Sequence, residues 1–295
     1  MFQVTIIIAI DGLGRFINQS CSNINNLSKN GTIYNVNSVI PSNSAQNWGS
    51  ILTGVRPDKH KLKLENLDIP YNNEEYPSLF KIILESYKIY KSAAFVSWEL
   101  IITGMIEPEL TIDRYAPLLN ENFLSKYWMY FNHYILKKPI YDSYLVQNVI
   151  NYIYNINDLK FLFIHLVDLD EVSHLYDFNS NEYKKKLKET DNYIGTITES
   201  IFEKYENPLI LLTTDHGGIE NKHGGNSEDE INTFIASNVN LDSLNIEDIN
   251  YNMNCSKIIL KALNINIPSY HVNSEKRSTD VKLMFYSHTL TLNAE

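Results

Sequence analysis

Continuous apolar runs, separated by helical patterns, are the feature of this sequence that most limits its fold. Three such runs stand out: Val4–Ile10, 161–167 and 209–213. An uninterrupted apolar run is typical of a strand buried on both faces, as in a parallel sheet covered by helices. The sequence therefore predicts an α/β fold with a doubly wound, mostly parallel sheet flanked by helices.

Weaker patterns fill in the rest of this fold. Apolar residues at helical spacing predict helices over 47–52, 79–87, 144–154, 183–205 and 255–263, and further strands are predicted over 93–98 and 231–237. We find no internal repeat or linker, so residues 1–270 are interpreted as a single catalytic domain. The aromatic-rich stretch 106–138 is interpreted as a lid or small insertion, and 271–295 as a C-terminal tail of unknown order.

The charge balance and the first residues limit the partners. Acidic residues outnumber basic ones by 35 to 25, a net charge of -10, which argues against a large nucleic-acid-binding surface. The apolar start is too short to span a membrane and lacks the basic region of a signal peptide. We therefore expect a soluble, cytoplasmic protein without a transmembrane segment, and nothing in the sequence specifies an oligomeric state.

Residues of the types that commonly bind metals follow each of the three apolar runs. They are Asp11 after the first run, Asp170 and His174 after the second, and Asp215, His216 and His223 after the third. A single Asp in such a place is usually a turn residue or helix cap. Three strand ends in one chain are different, because parallel strands bring their carboxyl ends to one edge of the sheet. Carboxylate and imidazole ligands suit zinc, manganese or iron.

The local spacing supports one shared site. Asp170 and His174 are four residues apart, so one helical turn places them on the same face. Asp215 and His216 precede Gly217-Gly218, which predicts a turn that lets both side chains enter one cavity.

Ser44 is the candidate nucleophile. It follows Pro41-Ser42-Asn43 at the predicted start of a helix, where backbone N–H groups and the helix dipole favour an anion. The alternative is that Ser44 is only a helix N-cap. From this segment alone, the capping role is the better interpretation.

Taken in order, these motifs resemble the alkaline phosphatase superfamily, and most closely its type I phosphodiesterase/nucleotide pyrophosphatase branch. The resemblance rests on Asp11, Ser44 with Asn47, Asp170 with His174, Asp215-His216-Gly217 and His223-Gly224, and it covers roughly residues 4–268. It implies an alkaline-phosphatase-like fold and a metal-dependent phosphoric ester hydrolase.

The resemblance also implies roles for the site residues. Two divalent metal ions would be bound, with Zn²⁺ the first choice and Mn²⁺ the second. One ion would be held by Asp170, His174 and His223. The other would be held by Asp11, Asp215 and His216, together with the oxygen of Ser44. Ser44 would form a covalent phosphoserine intermediate. Asn47 would either hydrogen-bond a phosphate oxygen or serve as a capping residue.

The implied substrate is a small phosphate ester, with a nucleotide as one option. Ala45 occupies the position where many nucleotide-hydrolysing relatives carry an aromatic residue, although Trp48 or a tyrosine of the insertion could replace it. Three alternatives stay open. A phosphomonoesterase needs extra positive charge, for which only Arg15 and Lys222 lie nearby in sequence. The others are a metal-bearing protein that binds phosphate ligands without turnover, and a phosphotransfer mutase.

Overall fold

The computed structural model describes residues 2–15 and 21–273. The seven strands of the described chain are β1 Val4–Ile10, β2 Thr32–Asn37, β3 Lys91–Val96, β4 Asp113–Tyr115, β5 Leu159–Leu166, β6 Pro208–Thr214 and β7 Asn232–Ser237. Helices connect most of them, and most of the predicted tail, 274–295, lies outside the described residues.

The helices of the described chain alternate with these strands. They are α1 Ser22–Ser28, α2 Ser44–Thr53, α3 Pro57–His60, α4 Leu79–Ser86, α5 Leu100–Gly104, α6 Pro117–Asn120, α7 Phe123–Tyr130, α8 Tyr141–Asn155, α9 Asp168–Tyr176, α10 Asn181–Lys204, α11 Glu228–Ile231, α12 Asn254–Ala262 and α13 Ser269–Asn273. Short 3₁₀ helices span Leu64–Asn66 and Leu241–Leu244, and a π-helix, Phe131–Ile135, continues α7. Within the described residues, no helix has both the length and the apolar character of a membrane span.

The strands form one sheet in the order β2-β7-β6-β1-β5-β3-β4. All neighbouring pairs are parallel except those of β7, which is antiparallel to β2 and β6. The central strand β1 pairs with β5 on one side and β6 on the other, which brings the carboxyl ends of these three strands together.

Both faces of the sheet are covered by helices. Every residue of β1 is buried, with Ile6 and Ile8 on one face and Ile7 on the other. Helices α1, α8, α9 and α10 pack on the first face, and α2, α4, α5 and α12 on the second. This two-sided burial explains the uninterrupted apolar runs, because neither side of a central strand meets water.

The predicted doubly wound, mostly parallel sheet is confirmed. Sequence patterns did not predict α1, β2, β4 or the antiparallel orientation of β7. The edge strand β2 alternates half-buried with exposed residues over most of its length, so it lacks the apolar run that identifies a central strand. The stretch 106–138 contains β4, α6, α7 and the whole π-helix, and its interpretation as a lid or insertion stays a prediction.

Candidate active site

The six predicted metal ligands converge at the carboxyl ends of β1, β5 and β6. Ligand atoms of Asp11, Asp215 and His216 lie within 4.8 Å of one another, and so do those of Asp170, His216 and His223. The turn after β1, the start of α9 and the loop after β6 supply these side chains. Residues more than 200 positions apart thus meet because their strands are neighbours in the sheet.

His174 completes this group from the second turn of α9. Its Nε2 atom lies 3.1 Å from Asp170 Oδ2 and 3.1 Å from His223 Nε2. The four-residue spacing on one helix therefore places both side chains on the same face, as the sequence predicts. His216 is the central member, since its ring stacks on that of His223 with centroids 3.7 Å apart.

The three histidines are held in the same way. Nδ1 of His174 lies 3.1 Å from the carbonyl oxygen of Asn221, Nδ1 of His216 lies 2.9 Å from that of Gly217, and Nδ1 of His223 lies 3.1 Å from that of Ser42. A carbonyl oxygen only accepts, so each Nδ1 must carry the proton. When the ring is neutral, each Nε2 atom then carries the lone pair and faces the cluster, which is how metal-binding histidines are usually oriented.

Ser44 is the first residue of α2 and faces the same cluster. Its hydroxyl donates to Asp11 Oδ1 at 3.3 Å, and its Oγ lies 3.0 Å from His216 Nε2. Asn43 occupies the N-cap position, so Ser44 is not the N-cap and its hydroxyl is directed to the ligand cluster. The capping interpretation that its own segment favoured is therefore wrong.

Two buried side chains fix the carboxylate of Asp11. Trp48 Nε1 donates to Asp11 Oδ2 at 2.9 Å, and His165 Nε2 lies 3.1 Å from the same oxygen. Trp48 is fully buried, so it is not available to stack on a nucleotide base, and that part of the prediction is wrong. His165 was missed by sequence reasoning, and its only signal is a histidine inside the apolar strand β5.

A glycine is required where β1 turns into the site. Gly12 has a φ of +68°, and a Cβ atom there would lie 2.6 Å from Asp170 Oδ1. The backbone N–H of Gly12 also donates to Asp215 Oδ1 at 3.1 Å. The absence of a side chain thus allows the carboxylates of three strand ends to approach one another.

Asn47 is not placed where it could bind phosphate. It is fully buried, its Oδ1 accepts from the backbone N–H of Val39 at 2.8 Å, and its Nδ2 donates to carbonyl oxygens of Val39, Pro41 and Asn43. The amide is committed to fixing the segment that precedes α2, because all of these partners lie before or at the N-cap of that helix. The structural interpretation of Asn47 fits these contacts, and the phosphate-binding one does not.

Burial and neighbouring charge set the protonation of the cluster. Burial and the charge of Asp11 raise the pKa of Asp215 to about 7. Burial opposes protonation of His216, but the carboxylates around it, chiefly Asp215, raise its pKa to about 10. A hydrogen bond with Asp170 raises the pKa of His174 to about 9 against the effect of burial. The cluster therefore favours added positive charge.

The donor set fits divalent cations. Three buried carboxylates, Asp11, Asp170 and Asp215, face three inward-pointing imidazole nitrogens. Asp215 Oδ2 is buried and has no hydrogen-bond partner among the described residues, although His216 Nε2 lies 3.1 Å away. A buried carboxylate oxygen without a donor is costly unless a cation is nearby. Oxygen and nitrogen donors without sulfur match zinc or manganese.

A cleft of about 470 Å³ opens beside Ser44 and exposes part of the cluster. Besides the cluster residues, its lining includes Trp98, Glu65 and Glu171. None of the described residues that line it is a lysine or arginine. Burial, and next the charge of Asp170, raises the pKa of Glu171 to about 7. The cleft itself therefore offers little attraction for a highly charged anion.

Solved structures share this fold. Murine ectonucleotide pyrophosphatase/phosphodiesterase 5 superposes with a TM-score of 0.65 at 12% identity, and the match covers 92% of this chain and 99% of the murine chain. A 2-O GAG sulfatase matches over 92% of this chain and 72% of its own, with a TM-score of 0.68 and 13% identity. The phosphonate monoester hydrolase of Agrobacterium radiobacter matches over 89% and 74%, with a TM-score of 0.63 and 10% identity. These similarities define an alkaline-phosphatase-like fold.

The family follows from the sequence itself. The model of the family "Type I phosphodiesterase / nucleotide pyrophosphatase" matches residues 5–76 and 88–290. The chain belongs to this family, and it is a metal-dependent phosphoric ester hydrolase within the alkaline phosphatase superfamily. A comparison with curated proteins found no match.

Proposed function

We propose that this chain is a two-metal phosphodiesterase or nucleotide pyrophosphatase that acts through a covalent phosphoserine at Ser44. One observation carries the proposal: three carboxylates and three inward-pointing imidazole nitrogens surround a serine hydroxyl at the edge of a cleft. The family match and the conformation of Ser44, at the start of α2 and directed to the cluster, support the same conclusion.

The predicted ligand sets remain the proposed ones. Asp170, His174 and His223 would hold one cation, and Asp11, Asp215 and His216 the other, with Ser44 beside it. When bound, two divalent cations supply positive charge that favours ionisation of a hydroxyl and stabilises negative charge developing on phosphate oxygens. We propose Zn²⁺ as the natural metal and Mn²⁺ as the second choice.

The protein groups suggest how the reaction proceeds. The Ser44 hydroxyl donates a hydrogen bond to Asp11 Oδ1, so the lone pairs of Ser44 Oγ point away from that carboxylate. Ser44 Oγ would form a bond to phosphorus as the bond to the leaving alcohol breaks, giving phosphoserine and the free alcohol. Water would then attack the phosphoserine, release the phosphate product with the remaining group and restore Ser44.

A diester fits the cleft better than a monoester does. A monoester carries an additional anionic oxygen, which usually needs a cationic side chain. Of the two cations near the motifs, Arg15 forms an ion pair with Asp229 and Lys222 is exposed, and neither lines the cleft. Glu65, together with Glu171 in its ionised form, would instead repel the extra charge. The monoesterase alternative is therefore less well supported.

A nucleotide remains the proposed substrate type because an aromatic side chain lines the cleft. Trp98 is half-buried and borders the same cavity as Ser44, so its ring is placed where a base can stack. An inactive variant of the murine relative was solved in complex with AMP. Ala45 leaves the usual stacking position without an aromatic ring, and Trp98 would take over that role.

The experiment that tests the nucleophile is Ser44→Ala. The variant should keep its fold and its metal but lower kcat by about 10⁴-fold or more, because no other described side chain presents a hydroxyl to Asp11 Oδ1 and His216 Nε2. Turnover of bis-p-nitrophenyl phosphate and metal analysis after gel filtration are the two measurements. Ser86→Ala, an exposed serine in α4, is the matched control and should behave as wild type.

The substrate class is tested separately with the wild-type protein. We expect bis-p-nitrophenyl phosphate to be hydrolysed faster than p-nitrophenyl phosphate in the presence of zinc or manganese. The reverse preference would identify a phosphomonoesterase. Tight phosphate-ligand binding without any product would identify a binding protein, and retained activity in Ser44→Ala would remove Ser44 as the nucleophile.

A further inference from the structure

One short segment of the described chain carries an unusual density of exposed apolar side chains. Nine of the nineteen large apolar side chains that are exposed in the described chain lie between Leu119 and Leu136, in α6, α7 and the π-helix region. Phe123 is 79% exposed, Leu124 75% and Ile135 66%. Isolated exposed apolar residues are ordinary, but a contiguous group marks an interaction site.

The exposed residues follow helical spacing and are fixed against one another. Leu124, Tyr127 and Trp128 are separated by three and four residues, so they share one face of α7. Trp128 stacks on Phe131 with ring centroids 5.6 Å apart, and Tyr130 stacks on Tyr134 at 5.9 Å. This aromatic face points outward, which is the reverse of an ordinary surface helix.

The opposite side of the segment is packed on the protein. Met129 is fully buried, and its cluster includes Tyr141 and Val167. His133 Nδ1 lies 3.2 Å from the Tyr141 hydroxyl, and His133 Nε2 lies 3.5 Å from Glu171, a residue that lines the active-site cleft. The outward direction of the aromatic face is thus set by specific contacts, and the segment adjoins the cleft.

The charge of the segment contrasts with that of the whole chain. Residues 122–138 contain no Asp or Glu, although the chain has 35 of them and a net charge of -10. The same stretch carries Lys126, Lys137 and Lys138, and the last two are exposed. Exposed aromatic and aliphatic side chains beside lysines, without acidic residues, are the composition of a helix that lies in a membrane interface.

We propose that the aromatic face of 122–138 binds a lipid bilayer that contains anionic lipids, and that it holds the active-site cleft against the membrane. The apolar side chains would enter the boundary between headgroups and acyl chains, while Lys137 and Lys138 would meet lipid phosphates. A second copy of this chain fits less well, because a symmetric contact would bring the same lysines of both copies together. The inference does not depend on the proposed catalytic function.

The test is co-sedimentation of the full chain with vesicles of phosphatidylcholine, alone or mixed with phosphatidylglycerol. We expect binding to the mixed vesicles that weakens as salt is added. The variant Leu124→Ser with Trp128→Ser should lower the partition coefficient between vesicles and water at least ~10-fold, because two apolar side chains that would enter the bilayer are lost. Lys137→Gln with Lys138→Gln should lower it by about 5-fold per lysine on mixed vesicles only.

Matched controls separate this surface from general exposure. Ile89→Ser replaces a side chain that is 84% exposed outside the segment, and it should bind vesicles like the wild type. All variants should keep the wild-type rate with bis-p-nitrophenyl phosphate, a small ester that needs no membrane. If the wild type fails to bind either vesicle, or if the Leu124 and Trp128 variant binds as well as the wild type, the proposal is overturned. A wild-type dimer that this variant converts to a monomer would instead identify an interface between copies.

Discussion

Two groups of buried carboxylates each include one residue from the start of α9, Asp170 in the first group and Asp168 in the second, and the groups differ in the partners of their oxygens. In the active site, Asp11, Asp170 and Asp215 face histidines, and one oxygen of Asp215 has no hydrogen-bond donor among the described residues. In the second group, Asp142 and Asp168 have donors on both oxygens.

The second group is a reciprocal pair of helix caps. The Asp142 carboxylate accepts from the backbone N–H groups of Val167 and Asp168 at the start of α9, at 2.9 and 3.1 Å, and from the Ser97 hydroxyl at 2.6 Å. The Asp168 carboxylate accepts from the N–H groups of Tyr141 and Asp142 at the start of α8. Burial raises the pKa of both carboxyl groups, and the N–H groups of the two helix N-termini, whose dipoles are positive there, offset part of this effect.

The difference teaches how to distinguish a structural carboxylate from a candidate metal ligand. Both kinds are fully buried, so burial alone does not separate them. Asp142 and Asp168 are satisfied by protein donors and by Lys186, whose Nζ lies 3.4 Å from Asp168. Asp215 Oδ2 has no backbone N–H donor and no lysine beside it among the described residues, and its near neighbour is Nε2 of His216 at 3.1 Å. The candidate metal ligands are therefore distinguished by carboxylate oxygens that the protein leaves without enough donors or cations, and not by burial.

Among the substitutions that compare the two carboxylate groups, Asp215→Asn should have the largest effect. Removing one carboxylate should weaken metal binding and lower kcat/KM by about 10³-fold, since loss of one partner in a buried charge group costs roughly 3–5 kcal/mol. Metal content by elemental analysis and turnover of bis-p-nitrophenyl phosphate measure the two effects. If both stay at wild-type values, the ligand assignment is wrong.

Asp142→Asn should affect stability instead. An amide in place of the carboxylate leaves one N–H of the α9 start without an acceptor, which should lower the free energy of unfolding by about 2–3 kcal/mol. Urea denaturation measures this, and metal content at saturating zinc should match the wild type. A loss of metal as complete as that of Asp215→Asn would abolish the distinction between the two groups.

His165→Leu probes the contact between the proposed metal ligand Asp11 and the histidine that orients it. It removes the group 3.1 Å from Asp11 Oδ2, and changes of this kind typically cost about 10- to 100-fold in metal affinity or activity. His165→Gln offers an N–H in a similar place and should recover part of the loss. Titration of zinc into metal-free protein separates this positioning role from simple unfolding, which would also lower the urea midpoint.

The smallest effect concerns a buried histidine outside both groups. Burial lowers the pKa of His60 from 6.5 to about 3, and its ring accepts from Leu62 N–H and lies 3.1 Å from Ser50 Oγ. The unfolded chain therefore binds a proton below pH 6.5 that the folded protein excludes, so stability should fall as pH falls, by up to ~1.4 kcal/mol per pH unit.

The pH effect is checked by urea denaturation between about pH 7 and pH 5. His60→Gln should show a shallower dependence of stability on pH than the wild type, because the excluded proton is gone. Ser86→Ala should keep the wild-type slope. Equal slopes in wild type and His60→Gln would show that His60 is not the group responsible.

Much of the site was accessible from the sequence alone. The apolar runs fixed which residues are central strands, and the polar residues that follow them had to meet at one edge of a parallel sheet. Asp11, Asp170, His174, Asp215, His216 and His223 could therefore be selected without coordinates. Ser44 was selected as the candidate nucleophile through the family resemblance, which depends on its place in the order of the motifs.

Only the tertiary structure decided which polar side chains are left without a protein hydrogen-bond partner and can face a ligand. Asn47 and Trp48 look as suitable for binding in the sequence as Ser44 does, but their polar groups are taken up by backbone carbonyls and by Asp11. His165 acts on Asp11 across two paired strands, a contact of 154 residues in sequence separation. The outward aromatic face of α7 also depends on which side packs on Tyr141. Local sequence specifies periodicity and residue type, whereas hydrogen-bond partners and exposure are set by distant segments that the fold brings into contact.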